Sequence, residues 1–211
     1  MYTVEAKNIC KEYKGETVLK NVNFTLEPGQ ITGITGKNGT GKSIFLKMVA
    51  GLIIPDSGDI LINGVKLKKG QYPQDIGVLL DCTGFLPEYS AMENLLSIAS
   101  IRKIAGKYEI EEIIERVGLD PKSGKAYKKF SLGMKQKLAI AQAFMEKPQI
   151  LLLDEPMNSL DEESVQDIRA LILGYVKENQ ASAIITSHYS EDIKALCSKV
   201  YEIKNKTFNC L

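Results

Sequence analysis

Apolar and polar positions change their period several times along this chain, and each change marks an element. Residues 2–35 carry short β-rich runs punctuated by turns. Thr3–Tyr13 and Val18–Glu27 read as paired strands around Lys14-Gly15-Glu16, Pro28-Gly29 as a turn, and Gln30–Thr35 as a third strand. The pattern then becomes helical as far as Ala50. Asn63-Gly64, a strong two-residue turn signal, predicts a short hairpin of Ile60–Ile62 and Val65–Leu67, and Ile76–Leu80 is a further strand. No strand pattern occurs between residues 82 and 130. Ser90 and Glu93 have capping-box spacing and open a helix of about thirteen residues. Tyr108–Val117 forms a second helix, with Gly118 as the residue just past its end. From there helix, strand (Ile150–Asp154), helix (Asp161–Asn179), strand (Ala183–Thr186), helix and strand alternate, the signature of βα units with a parallel sheet. Residues 1–211 thus read as one α/β domain, with a helical lobe at 82–130 inserted into its core.

Charge and composition narrow the class. Lys and Arg number 27 against 26 Asp and Glu, a net charge of +1. A dedicated nucleic-acid binder needs a basic excess on at least one face, so that class is disfavoured. Hydrophobic content of 44% with 25% charged residues excludes native disorder. No run approaches the roughly 18 apolar residues that span a bilayer, and the N-terminal residues show no signal-peptide pattern. Cys10, Cys82, Cys197 and Cys210 form no CxxC pair and read as reduced structural thiols of a cytosolic protein. Work at a membrane would then require a separate membrane partner.

Three segments carry chemistry. Gly36-Lys37-Asn38-Gly39-Thr40-Gly41-Lys42-Ser43 fits G-x-x-x-x-G-K-[ST] with a strand before it and a helix after it. Its glycines let the backbone wrap phosphate oxygens, and the helix adds its positive end. Lys42 would reach the β- and γ-phosphates, and the Ser43 hydroxyl would ligate Mg²⁺. Ile150-Leu-Leu-Leu-Asp154-Glu155 is an apolar strand that ends in two carboxylates, where ligands bind in parallel sheets. Asp154 can hold Mg²⁺ through water, and Glu155 can act as general base toward an attacking water. His188, the only histidine, follows the next strand end and would contact the γ-phosphate.

With Ser131-Leu-Gly133-Met-Lys-Gln136 and Ser159-Leu-Asp161, these motifs occur in an order and spacing that resembles the ATP-binding-cassette (ABC) ATPases over essentially the whole chain. The resemblance implies a P-loop NTPase fold with an antiparallel β subdomain and a helical lobe. It also implies a head-to-tail dimer around two ATP molecules, and a cytoplasmic subunit held at the membrane by a permease on a separate chain. Carried over by position, Tyr13 matches the residue that stacks on adenine, its alternative being a tyrosine that packs locally. Ser131 and Gly133 match the signature positions that bind the other subunit's γ-phosphate. Pro156 to Asp161 match the loop through which the two sites communicate.

Departures from the family pattern are visible. The signature reads Phe130-Ser-Leu-Gly-Met rather than Leu-Ser-Gly-Gly-Gln, and Ile44 replaces the second hydroxyl residue, leaving only its backbone N–H for phosphate. Asp81 stands where the family places a Mg²⁺-binding glutamine; it either ligates the metal or points at solvent. Together with Ile76–Leu95, the Ser-Leu-Gly-Met signature resembles the bacitracin and lantibiotic self-protection exporters. Lys122, Lys125, Lys128, Lys129, Lys135 and Lys137 form a segment without an acid, either an attractive patch for an anion or acidic surface or a solvated face. Two competing functions remain: a cassette ATPase acting on nucleic acid or the ribosome, and a slow ATP-sensing subunit. The stretch from Ser43 to Ser131 is too short for the long coiled coil of chromosome-maintenance relatives.

Overall fold

The computed structural model describes residues 3–13, 15–80 and 84–211. Strands β1 (Val4–Tyr13), β2 (Glu16–Leu26), β4 (Ser57–Ile62) and β5 (Val65–Lys66) form an antiparallel sheet in the order β2-β1-β4-β5. Strands β3 (Ile31–Thr35), β6 (Ile76–Leu79), β7 (Ile150–Asp154), β8 (Ser182–Thr186), β9 (Lys199–Lys204) and β10 (Thr207–Cys210) form the second, in the order β10-β9-β3-β8-β7-β6. Every pairing in this sheet is parallel except β10 with β9. The helices are α1 (Lys42–Val49), α2 (Ala91–Arg102), α3 (Lys107–Arg116), α4 (Leu132–Phe144), α5 (Glu162–Asn179) and α6 (Ser190–Leu196). A 3₁₀ turn spans Tyr127–Lys129.

Strand β7 explains how one sheet serves two cores. All of Ile150–Leu153 is buried, and successive side chains point to opposite faces. Leu151 and Leu153 enter a core shared with α2, α3, α4 and α5, whereas Ile150 and Leu152 enter one shared with α1 and the antiparallel sheet. Aromatic side chains tie that second core together. Phe45 of α1 lies 5.0 Å from Phe24 of β2 and 4.8 Å from Phe208 of β10, measured between ring centroids.

In the inserted lobe, α2 starts where the capping signal placed it. Ser90 Oγ accepts from Glu93 N at 3.3 Å, and Glu93 Oε2 accepts from Ser90 N at 2.7 Å. Buried Asn94 then staples the preceding loop, accepting from Leu86 N at 2.7 Å and donating to Leu86 O at 3.2 Å. Gly118 follows α3 at φ 74°, as expected of the residue past a helix end.

The C-terminal segment corrects the sequence reading, which ends on one strand. Two strands are present, joined through Asn205 and Lys206 at φ 52° and 67°. A two-residue hairpin turn of type I′ needs positive φ at both positions. Lysine is an unusual residue there, which is why the signal does not stand out. Among the described residues Cys10, Cys197 and Cys210 are free thiols. Burial pushes the Cys197 thiol up to about 12, whereas the Asn21 N–H and the Ser57 hydroxyl hold Cys10 below its ordinary value. No helix among the described residues is long and apolar enough to cross a membrane.

Candidate functional site

Register brings the chemistry to one edge of the sheet. Thr186 at the end of β8 pairs with Ile34 of β3 on one side and Asp154 of β7 on the other. The carboxyl ends of three central strands are therefore level, the place where ligands bind in parallel sheets. From them issue the loop 36–41, the pair Asp154-Glu155 and the pair Ser187-His188. A cleft of about 500 Å³ opens there, lined by Asn38, Gly39, Gly41, Lys42, Ser43 and Ile44 on one side. Asp154, Glu155, Asn158, Gln136, Ala139, Leu79 and Leu80 complete its walls.

The loop depends on its glycines most clearly at Gly41, which precedes α1 at φ 106°. A Cβ there would stand 3.0 Å from both Val18 and Leu19 side-chain carbons. Helix α1 begins with no side-chain cap and no acid in its first turn, so the positive end of its field is directed at the cleft. Lys42 is 6% exposed. Its Nζ donates to Gly36 O at 2.8 Å and, less directly, to Lys37 O at 3.4 Å, and lies 3.6 Å from Glu155 Oε1. Thr40 Oγ1 closes the loop on Lys37 O at 2.8 Å.

Glu155 is the most constrained residue of the site. It sits in the left-handed region at φ 48°, which costs a residue with a Cβ roughly 1–2 kcal/mol. Its backbone is pinned at both polar groups. The N–H donates to Thr186 O at 3.2 Å and Oγ1 at 2.9 Å, while Gln136 Nε2 donates to its carbonyl at 3.2 Å and to Pro156 O at 3.0 Å. The carboxylate faces His188 on one side and the Lys42 ammonium on the other. Oε2 accepts from His188 N at 3.2 Å and meets Nδ1 at 2.8 Å. Oε1 is buried, makes no hydrogen bond among the described residues and faces Lys42. Such an oxygen, free of hydrogen bonds and beside a cation, can take a proton from a water bound next to it.

Asp154 accepts from Thr186 Oγ1 at 2.5 Å, so Thr186 links both carboxyl-bearing residues. Among the described residues no three metal-binding side chains of His, Cys, Asp or Glu form a group. A divalent ion would be held by Ser43 and Asp154, with substrate oxygens and water supplying the rest. That donor set suits Mg²⁺, which keeps several waters and takes few carboxylates.

Most predicted residues converge. Asn38, Gly39, Gly41, Lys42, Ser43, Ile44, Asp154 and Glu155 line the cleft; Gly36 and Lys37 meet Lys42, and His188 meets Glu155. Tyr13, Ser131 and Gly133 do not line it. Tyr13 ends β1 with about half its surface exposed. Ser131 is exposed and caps α4 by accepting from Met134 N at 3.2 Å, and a Cβ at Gly133 would come within 3.0 Å of Ser159 O. Asp81 and Cys82 lie outside the described residues. The sequence assigns no individual role to Gln136 or Thr186, and Asn158 enters only as part of the 156–161 loop. Gln136 is signalled by the motif that contains it; Thr186 is identified by strand register. The lysine segment is partly engaged, with Lys128 2.6 Å from Glu88 and Lys135 5.3 Å above the Tyr127 ring.

The chain has relatives among known proteins and solved structures. A family model described as "ABC transporter" matches residues 19–158. The chain is 43% identical to the uncharacterized ABC transporter ATP-binding protein YybJ of Bacillus subtilis (strain 168), over 96% of this chain and 93% of that protein. It is 37% identical to the bacitracin transport ATP-binding protein BcrA of Bacillus licheniformis, over 93% of this chain, and spans 65% of that protein's length. Among solved structures, the dimeric structure of MJ0796, a bacterial ABC transporter cassette, matches with a TM-score of 0.87 and 25% identity, covering 98% of this chain and 96% of that one. The cbiO1 structure from Clostridium perfringens, part of the ABC transporter complex cbiONQ, shares the fold at a TM-score of 0.82 and 24% identity, over 99% of this chain and 87% of that one.

Proposed function

Given that the chain belongs to the ATP-binding cassettes of ABC transporters, ATPases that couple hydrolysis to transport, we propose that it hydrolyses Mg·ATP in this cleft as one half of a head-to-tail dimer. In this reading loop 36–43 and the start of α1 wrap the phosphates, and the Lys42 ammonium donates hydrogen bonds to the β- and γ-phosphate oxygens. Ile44 contributes only its backbone N–H. Ser43 and Asp154 would hold Mg²⁺, which would supply positive charge to the phosphates. Glu155 accepts a proton as water attacks the γ-phosphorus, and ADP leaves with the bridging oxygen. His188, already on the Glu155 carboxylate, orients that carboxylate and the γ-phosphate together.

Adenine would stack on Tyr13. Ser131, exposed, and Gly133, half-buried, both at the start of α4 and outside the lining of their own cleft, fit a role on the ATP of a second copy or a related cassette. The loop 156–161 beside Gly133 would carry the state of one site to the other. Asp81 would complete the metal shell from the segment after Leu80. A permease on a separate chain supplies the membrane path and holds the cassette at the cytoplasmic face. The similarity to BcrA points to export of a peptide antibiotic or a comparable amphiphile.

One observation carries this reading: Lys42, Asp154, Glu155 and His188 meet at the level ends of three adjacent strands. ATP hydrolysis measured against protein concentration tests it. The rate per subunit should rise with concentration as composite sites form. A rate that is absent at every concentration, with the permease supplied, would overturn it.

A further inference from the structure

His188 stands on an exposed turn between β8 and α6, yet its backbone N–H and ring both meet one oxygen of Glu155. An exposed turn does not by itself hold an imidazole in one orientation. The residues that bracket it are held from behind. Ser187, 2% exposed, donates from Oγ to Asp192 Oδ2 at 2.9 Å and accepts from Tyr189 N at 3.0 Å. Asp192 is 3% exposed, and its other oxygen takes both Nε and Nη2 of Arg169, at 3.0 and 2.5 Å. Arg169 belongs to α5 and Asp192 to α6, so the turn is anchored to both helices.

We propose that Arg169, Asp192 and Ser187 form a positioning relay that fixes the His188 turn against Glu155. The inference rests on His188 serving hydrolysis as argued above. A charge buried as deeply as Asp192 requires a partner and filled acceptor sites, and here the guanidinium and the Ser187 hydroxyl provide them. Arg169 suits this better than lysine, since its fork presents two donors in fixed geometry. None of the three lines the nucleotide cleft. Their effect therefore falls on the orientation of the catalytic pair rather than on ATP affinity. The Tyr189 ring, on the same turn, lies tilted against that of His188 at 3.9 Å between centroids.

Ser187→Ala removes the link with the smallest change of shape. Its expected signature is a kcat lowered about tenfold or more, because small misplacements at a reacting centre have large rate effects, with KM for ATP within about twofold and a melting temperature lowered by a few degrees because Asp192 Oδ2 loses its buried donor. Asp192→Asn should give the same split, and Ser187→Thr should restore turnover. In a His188→Ala background, Ser187→Ala should lower kcat no further, since its effect passes through the histidine. Unchanged turnover in Ser187→Ala, or a full additional loss in the double variant, would overturn the relay while leaving the role of His188 intact. Unchanged turnover in His188→Ala alone would overturn the role of His188 itself, and the relay with it.

Discussion

The two strand ends that flank β8 build their parts of the site by different means. After β3, the loop 36–41 and the first turn of α1 form a binding surface from consecutive residues, shaped by glycine backbone and a helix end. After β7 and β8, the catalytic pair is assembled from residues distant in sequence. Glu155 is held by Thr186, Gln136 and His188, and His188 by groups as far away as Arg169. The first region encodes its geometry locally, in a string of residue types at fixed spacing. The second encodes it in the register of β7 against β8 and in the packing of α4, α5 and α6 around it. Binding should therefore depend on the first region, and turnover on the second.

Substitutions can break that division. A large loss is expected for Lys42→Ala, which removes the cation facing both phosphate and Glu155. Hydrolysis should fall by roughly 100-fold or more, with a weakened Kd for ATP read by a fluorescent nucleotide analogue. Gly41→Ala should follow. Its φ of 106° and the 3.0 Å approach to Val18 and Leu19 make any side chain costly, by roughly 1–3 kcal/mol. ATP affinity should drop by a corresponding factor in the same binding assay, with a smaller change in kcat at saturating ATP.

Gln136→Ala tests the other half of the contrast. It releases the Glu155 and Pro156 carbonyls and should lower kcat about tenfold by misplacing the base. Because Gln136 also lines the cleft, equal losses in kcat and affinity would blur the division. The smallest effect belongs to neither region. Ser90→Ala removes the α2 cap and should cost about 1 kcal/mol of stability. It should appear as a lower midpoint in urea, with Kd for ATP unchanged.

The same contrast explains what could be read without coordinates. The phosphate loop, the apolar strand ending at Asp154-Glu155, the Ser90 cap and the inserted helices are local patterns, and their positions agree with the structure to within a few residues. The split of β7 between two cores follows from a period of two. Thr186 carries no sign in the chain that it ties Asp154 to the Glu155 backbone, because that contact exists only once β7 and β8 pair. The left-handed conformation of Glu155 was equally hidden, since glutamate has no preference for it. The Asn205-Lys206 turn lacked the glycine that would have announced a hairpin, so β10 was missed.

Turnover of the Glu155→Gln variant is the most direct measurement of the central claim, that hydrolysis is driven by the carboxylate held between Lys42 and His188. The substitution keeps size and removes the basic oxygen. Single-turnover hydrolysis should slow by roughly 10²- to 10⁴-fold, while ATP stays bound with a Kd near the wild-type value and a stable ATP-dependent dimer accumulates on size exclusion. Hydrolysis at the wild-type rate in that variant would contradict the claim and move the catalytic base elsewhere.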